Sequence, residues 1–214
     1  MFRYPKMPGS GAAPLGPCVA FEKYDGTNLH WEWDRHHGWF AFGTRSASYP
    51  LAPEGETDFA ANHTQLHEAP ACFRATHAEE LAAILARLAD AEDFDHAVVF
   101  TEFFGPQSFA GLHKDADPKQ LVLFDVWASG FGFFGPRRFV NEFADVPIAR
   151  VVYEGKFTGK FAEDVRKGKY PVAEGVVCKG GNGGDDVWMV KIKTYAYQAR
   201  LKQAFAGKWE DYWE

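Results

Sequence analysis

The sequence predicts an α+β fold in which antiparallel sheets are flanked by helices. Many short runs either alternate apolar and polar residues or are apolar throughout, and Gly, Pro, Asn and Asp separate them, which is typical of strands joined by turns. A few scattered segments have helical periodicity instead. Many strands beside few helices favour antiparallel sheets over a regular alternation of strand and helix.

The N-terminal part begins with an irregular lead-in over residues 1–17, which is rich in Gly and Pro. A strand is predicted at "CVAFEKY". The next run, "NLHWEW", alternates, so its Leu and Trp side chains are expected on one face and His30 and Glu32 on the other. "DRHHG" predicts a turn and "WFAFGTR" a further strand. Residues 50–75 have no clear period and are expected to form a long surface connection.

The clearest helix is predicted at "THAEELAAILARLADAED", because its Leu and Ile residues recur on one helical face. Thr76 with Glu79 has the spacing of a capping box. The short apolar runs "HAVVFTEFFG" and "QLVLFDVWA" are expected to be buried strands. "EDVRKGKYP" predicts a short helix that ends near Pro171.

The C-terminal part predicts a hairpin and a last helix. "AEGVVCKGG" and "DVWMVKIKT" read as strands around the loop "GNGGD". The tail "AYQARLKQAFAGKWEDYWE" places Tyr197, Leu201 and Phe205 at helical spacing. A chain of 214 residues suits one domain over 1–214, and 46% hydrophobic residues suffice for a large core.

Composition bounds the class of protein. No apolar run approaches the roughly 18 residues of a membrane helix, and the N-terminus lacks the pattern of a secretory signal. Cys18, Cys72 and Cys178 lie far apart and form no CxxC pair, which favours a reducing, cytoplasmic setting over a disulfide framework or zinc site. A phage or bacterial origin would be consistent with this setting.

The net charge of −6 gives no overall basic footprint for nucleic acid. A local basic surface can coexist with an acidic total. Basic residues are concentrated between positions 150 and 169, although a solvated face would produce the same pattern. They are Arg150, Lys156, Lys160, Arg166, Lys167 and Lys169.

Single motifs leave the function open. Lys23 to Gly26 fits K-x-D-G, which by itself is equally consistent with a hairpin carrying a solvated lysine. No P-loop pattern occurs, and "GGNGGDD" lies between two strands rather than before a helix. His63 and His67 are four residues apart but lack further ligands, so we expect surface histidines.

An ordered series of motifs is more specific. "EKYDGTN" is followed by "GTRS", "FTEFFG", "LVLFDVW", "EGVVCK" and "VKIK". From Phe21 to Lys193 this series resembles the covalent nucleotidyltransferases, which include polynucleotide ligases and messenger-RNA capping enzymes. "EKYDGTN" is most similar to ATP-dependent RNA ligases of the RNA ligase 2 type. The resemblance implies a nucleotidyltransferase fold with the nucleotide pocket between sheets.

The resemblance implies that Lys23 attacks the α-phosphate of ATP, leaving a lysine–AMP phosphoramidate and pyrophosphate. Because only a neutral amine attacks, we expect burial and nearby cations to lower the pKa of Lys23. The other implied catalytic residues are Asp25, Glu174, Lys191 and Lys193. The lysines at 191 and 193 are two apart in a strand, so they should share one face.

The implied ATP and AMP contacts also include the ribose-binding Glu102 and the adenine-stacking Phe124, although Phe124 could simply pack in the core. The full set is Glu22, Lys23, Asn28, Arg45, Glu102, Phe124, Glu174, Val176, Lys179, Lys191 and Lys193. Glu174, next to a glycine that would let a ligand approach, and Asp125 are the implied carboxylates for Mg²⁺ or Mn²⁺, held through water.

The implied partners are RNA ends that carry a 5′-phosphate and a 3′-hydroxyl; no membrane or obligatory protein partner is indicated. Candidate RNA contacts are Thr27, Asn28, Arg45, Lys156, Lys160, Arg166 and Lys167. Because the sequence ends soon after Lys193, we expect a minimal form without the OB-fold or helical domain of other ligases. A DNA ligase, a capping-type enzyme and an end-binding module that adenylates without sealing remain alternatives.

Overall fold

The computed structural model describes residues 3–105 and 117–205 as two antiparallel sheets with surrounding helices. The strands are β1 Pro17–Lys23, β2 Thr27–Asp34, β3 Gly38–Thr44, β4 Ser48–Pro50, β5 His96–Phe104, β6 Gln120–Ala128, β7 Gly132–Phe133, β8 Val151–Lys156, β9 Gly175–Gly180 and β10 Trp188–Lys193. The α-helices are α1 Pro53–Asn62, α2 Ala69–Thr76, α3 Ala78–Glu92, α4 Pro136–Glu142, α5 Gly159–Arg166 and α6 Tyr195–Phe205.

Sheet A has the strand order β10-β9-β1-β8, and sheet B has the order β4-β3-β2-β5-β6-β7. Every neighbouring pair is antiparallel. The predicted α+β fold on antiparallel sheets is therefore confirmed.

The connection from β1 to β2 carries the chain from sheet A to sheet B. It consists of Tyr24, Asp25 and Gly26. Gly26 passes so close to β5 that a Cβ there would lie 2.5 Å from the carbonyl oxygen of Phe103. Glycine is thus required by a contact between chain segments, and the lysine that precedes the turn lies where the two sheets meet.

The main core fills the space between sheet B and the helices. Leu29, Trp31 and Trp33 belong to it, as their alternation predicts. Trp31 stacks on Phe73 of α2 with ring centroids 3.9 Å apart, and its indole N–H donates to Thr101 Oγ1 at 2.8 Å. The polar tip of the indole is therefore satisfied inside an apolar layer.

Helix α5 covers the outer face of sheet A. Phe161 and Val165 pack there against small and branched strand residues such as Cys178 and Ile192. Thr158 caps the helix, because its hydroxyl accepts from the N–H of Phe161 at 3.0 Å. The helix ends at Arg166, somewhat before the expected Pro171.

Two sequence expectations about the first helices are wrong. The segment 50–75 forms α1 and most of α2 instead of a long connection. No helical period is visible in the sequence of α1, because its buried residues are only Gly55 and Phe59. Thr76 does not cap α3. It ends α2, where its hydroxyl donates to the carbonyl oxygen of Cys72 at 2.8 Å.

The C-terminal elements agree with the sequence. Strands β9 and β10 pair as the predicted hairpin. Tyr197, Leu201 and Phe205 form one apolar cluster on α6, and the remainder of the predicted tail helix lies outside the described residues. None of the helices within the described ranges combines the length and apolar character needed to cross a membrane.

Replacing Phe73 tests whether α2 is part of the core. Phe73→Ala should lower the free energy of unfolding by about 3–5 kcal/mol, because a fully buried ring stacked on Trp31 leaves a cavity. Denaturant unfolding measures the change. Phe40→Ala is the control, since Phe40 is 43% exposed on sheet B and should cost less than about 1 kcal/mol. Equal losses in the two variants would contradict the packing described.

Candidate active site

A cavity of about 430 Å³ lies between sheets A and B. It is within the range usual for small-molecule sites. Most of the residues implied by the motif series line it. These are Glu22, Lys23, Asp25, Asn28, Arg45, Glu102, Phe124, Glu174, Lys179, Lys191 and Lys193.

Lys23 and Glu174 form an ion pair at the cavity wall, with Nζ and Oε1 2.9 Å apart. The pairing of β1 with β9 brings them together, because Lys23 lies opposite Gly175. A Cβ on Gly175 would lie 1.9 Å from the carbonyl oxygen of Ile192. This glycine therefore makes room for β10, which corrects the expectation that it makes room for a ligand.

The pKa of Lys23 is raised, contrary to the expected lowering. Burial lowers it, but the negative charge of Glu174, the charge that Glu102 gains when it ionises and the hydrogen bond to Glu174 outweigh burial. The local sequence indicates the cations near Lys23 but not the carboxylates that the fold brings beside it. In the nucleotide-free protein Lys23 is therefore an ammonium held by acids.

Glu102 and Glu174 are both affected by the crowding of acids. Burial, with the charges of Glu174 and Asp25, raises the pKa of Glu102 to about 8, although Lys23 and the N–H of Gly26 oppose the shift. Burial likewise raises the pKa of Glu174, against the effect of Lys23. At neutral pH Glu102 is mostly a neutral carboxyl, able to donate as well as accept.

Two lysines on β10 face the same cavity. Lys191 and Lys193 point inward together, as their spacing predicts, and Lys193 is largely buried. Arg45 lies at the exposed rim and donates to the carbonyl oxygen of Tyr4 at 3.4 Å. These cations line the cavity and are suited to bind phosphate.

Phe124 owes its position to a bulge in β6. Phe100 pairs with Asp125 and Thr101 with Leu123, so Phe124 is the extra residue. A bulge turns a side chain out of the regular alternation, and here it brings the ring to the cavity. The carbonyl oxygen of Phe124 accepts from Lys179 Nζ at 2.5 Å.

Lys179 and Asp125 form a buried ion pair of 2.8 Å, and the hydroxyl of Tyr4 donates to the same carboxylate oxygen at 2.8 Å. Burial raises the pKa of Asp125 and lowers that of Lys179, while their contact opposes both shifts. Asp125 does not line the cavity. Asp125 instead pairs with Lys179 beside Phe124, so the structure does not place it where a metal carboxylate of this cavity is expected.

The N-terminal segment is part of the site, although the sequence patterns predict no functional role for it. Tyr4, Pro5, Lys6 and Met7 line the cavity. The next residues run beside β10, where Lys191 N–H donates to the carbonyl oxygen of Pro8 at 3.1 Å. Tyr4 also packs edge-on against Phe124, with centroids 5.2 Å apart. The sequence signal that could have indicated this role is the presence of an aromatic residue and a lysine, Tyr4 and Lys6, close to the start of the chain.

Two further assignments change. Val176 packs on the outer face of sheet A, and its neighbour Val177 lines the cavity instead, because successive strand residues face opposite sides. Thr27 faces an adjacent polar cleft of about 280 Å³, which residues 62–66 complete.

Most of the basic stretch is remote from the cavity. Lys160, Arg166 and Lys167 belong to α5 or its end, on the outer face of sheet A. Local acids pair with them: Lys160 with Asp164 at 2.7 Å and Lys167 with Glu163 at 3.2 Å. Lys156 is exposed at the end of β8. The structure does not bring these residues to Lys23.

The residues around Lys23 fit a hydrated divalent cation. Glu174 Oε2 is buried and has no hydrogen-bond partner. Within the described ranges no group of three or more His, Cys, Asp or Glu could enclose a metal. Mg²⁺ commonly retains waters and binds one or two carboxylates together with phosphates, so a single free carboxylate oxygen suits it.

Solved structures of ligases share this fold. An archaeal ATP-dependent RNA ligase is 14% identical, with a TM-score of 0.59, over 97% of this chain and 52% of its own. A Naegleria gruberi RNA ligase variant solved with ATP and Mn is 14% identical, with a TM-score of 0.59, over 94% and 58%. A putative ATP-dependent DNA ligase from Aquifex aeolicus is 16% identical, with a TM-score of 0.53, over 99% and 57%.

The chain thus spans about half the length of these solved proteins. No curated protein matches it by sequence. A family model for RNA ligases matches residues 16–193, which include every motif from "EKYDGTN" to "VKIK". With this match over most of its length, the chain belongs to the RNA ligase family.

Proposed function

We propose that this protein is an ATP-dependent RNA ligase that adenylates Lys23, transfers AMP to an RNA 5′-phosphate and joins that end to a 3′-hydroxyl. The observation that carries the proposal is the position of Lys23. Its amine lies in a cavity of nucleotide size, with Lys191 and Lys193 on the same sheet and Phe124 on the other. Membership of the RNA ligase family supports RNA as the substrate class.

In the adenylation step the Lys23 amine forms a bond to the α-phosphorus while the bond to pyrophosphate breaks. Lys191 and Lys193 stabilise charge on the phosphates, and the ring of Phe124 offers a face for adenine. Glu102 contacts the ribose hydroxyls. Thr27 and Asn28, beside the turn that follows Lys23, are placed for the steps that use RNA.

The ammonium of Lys23 must lose a proton before it attacks. Glu174 is the nearest carboxylate and holds the charged form. Glu174 would bind Mg²⁺ or Mn²⁺ through water. When bound, the cation supplies positive charge that stabilises the leaving pyrophosphate.

Self-adenylation is the first test. With ATP labelled at the α-phosphate and Mg²⁺, the wild-type protein should retain label after denaturation, whereas Lys23→Ala should lose it completely because no amine remains. Lys119→Ala, a surface lysine that pairs with Glu68, should label like the wild type. An unlabelled wild-type protein would refute the proposed function.

Joining is tested with 5′-phosphorylated RNA on a denaturing gel. A longer or circular product that depends on ATP supports an RNA ligase. Parallel nicked DNA and GTP reactions separate a DNA ligase and a capping-type enzyme. If the protein becomes labelled but forms no joined product, the result favours an end-binding module that adenylates without sealing.

Glu174→Gln should shift the Mg²⁺ concentration for half-maximal adenylation upward by about tenfold or more, because a neutral amide replaces the carboxylate. The Mg²⁺ titration of the labelling rate measures this shift. Glu154→Gln removes an exposed carboxylate that pairs with Arg137, and it should leave the titration unchanged. An unshifted midpoint in Glu174→Gln would contradict the metal role.

Glu102→Gln should stabilise the nucleotide-free protein increasingly as pH rises. The folded pKa of Glu102 is about 8, above its ordinary value of 4.5. Unfolding therefore releases a proton between these values, and the wild type loses stability over that range. Melting temperatures at pH 5 and pH 8.5 measure the gain. A difference between the proteins that is the same at both pH values would refute the buried neutral carboxyl.

A further inference from the structure

Tyr197 of α6 contacts the turn that follows Lys23. Its hydroxyl donates to Asp25 Oδ1 at 2.7 Å, and both side chains are buried. The two residues lie 172 positions apart, so the contact belongs to the tertiary structure. The sequence pattern predicts for Tyr197 only a place on one face of the last helix.

Tyr197 also contacts two other parts of the site. Its ring centroid lies 5.7 Å from Lys193 Nζ, a cation–π distance. The backbone N–H of Tyr197 donates to Thr194 Oγ1 at 3.1 Å, and the backbone N–H of Thr194 donates to the carbonyl oxygen of Glu174 at 2.9 Å. Tyr197 therefore connects the turn, the end of β10 and the segment that carries Glu174.

The position of the Asp25 carboxylate matters to the reacting amine. Asp25 follows Lys23 by two residues and lines the same cavity, and the hydrogen bond from Tyr197 ties the turn that carries it to α6. A short hydrogen bond to a carboxylate is stronger than one between neutral groups and fixes direction as well as distance. Packing alone would be served equally by phenylalanine, whereas the hydroxyl has a buried acceptor in Asp25.

Building on the proposed adenylation of Lys23, we propose that Tyr197 is a positioning residue that acts through Asp25. Its hydroxyl holds the Asp25 carboxylate in place beside Lys23, so it governs the rate at which the amine reacts. Since the hydroxyl is directed at Asp25, its loss should leave the affinity for ATP almost unchanged.

The test is Tyr197→Phe, with the rate of labelling measured over a range of ATP concentrations. The maximal rate should fall about tenfold, because a charge-assisted hydrogen bond is lost, while the half-saturating ATP concentration changes by less than about twofold. Tyr195→Phe removes a hydroxyl from the same helix, where it contacts Glu163 at the surface, and should behave like the wild type. A wild-type rate in Tyr197→Phe would overturn the proposal.

A double-mutant cycle shows whether the effect passes through Asp25. Asp25→Asn should slow labelling, and adding Tyr197→Phe to it should cause little further loss. If the two losses multiply instead, Tyr197 does not act through Asp25 and the proposal fails.

Leu201→Ala distinguishes positioning from helix anchoring, since it weakens the same cluster without touching Asp25. When the two variants lose the same amount of melting temperature, Leu201→Ala should label faster than Tyr197→Phe. An equally slow labelling rate in both variants would overturn the proposal. If Tyr197→Phe does not fold, the proposal is tested with the other two variants. Asp25→Asn must then slow labelling without changing the half-saturating ATP concentration, and Leu201→Ala must not slow it. Slow labelling in Leu201→Ala together with a wild-type rate in Asp25→Asn would refute the proposal. A labelled wild type keeps the proposed function whichever result is found.

Discussion

The ion pair between Lys23 and Glu174 is the contact on which the arrangement of the cavity depends. It joins β1 to the segment before β9, with 2.9 Å between the charged atoms. Removing two charges from water is costly, and such a pair adds little net stability even when its geometry is good. Its value is positional, because it keeps the amine directed into the space between the sheets.

The carboxylates around this pair favour the ammonium form of Lys23. Glu174 contacts the amine directly, whereas Glu102 is mostly neutral at neutral pH. A nucleotide and its cation would bring both signs of charge, with Lys191 and Lys193 facing the phosphates. The nucleotide-free site thus holds a proton on Lys23, and the proposed adenylation would require a change in the electrostatic surroundings that releases it.

Two sets of side-chain contacts hold the residues around the cavity in position. On one side the N-terminal segment places Tyr4 against Asp125, which holds Lys179 beneath Phe124. On the other side α6 places Tyr197 against Asp25. In each case a phenol donates a hydrogen bond to one oxygen of a buried carboxylate.

Strand periodicity determined much from the sequence alone: the core face of β2, the shared face of Lys191 and Lys193, and the family through its ordered motifs. The tertiary structure decided what pairing and burial control. Val177 rather than Val176 lines the cavity, and Asp125 pairs with Lys179. The pKa of Lys23 is raised rather than lowered, and Tyr4 and Tyr197 belong to the site. The physical reason is distance along the chain. Local pattern fixes which side of a strand a residue faces, whereas its charge state and hydrogen-bond partner depend on groups more than a hundred residues away.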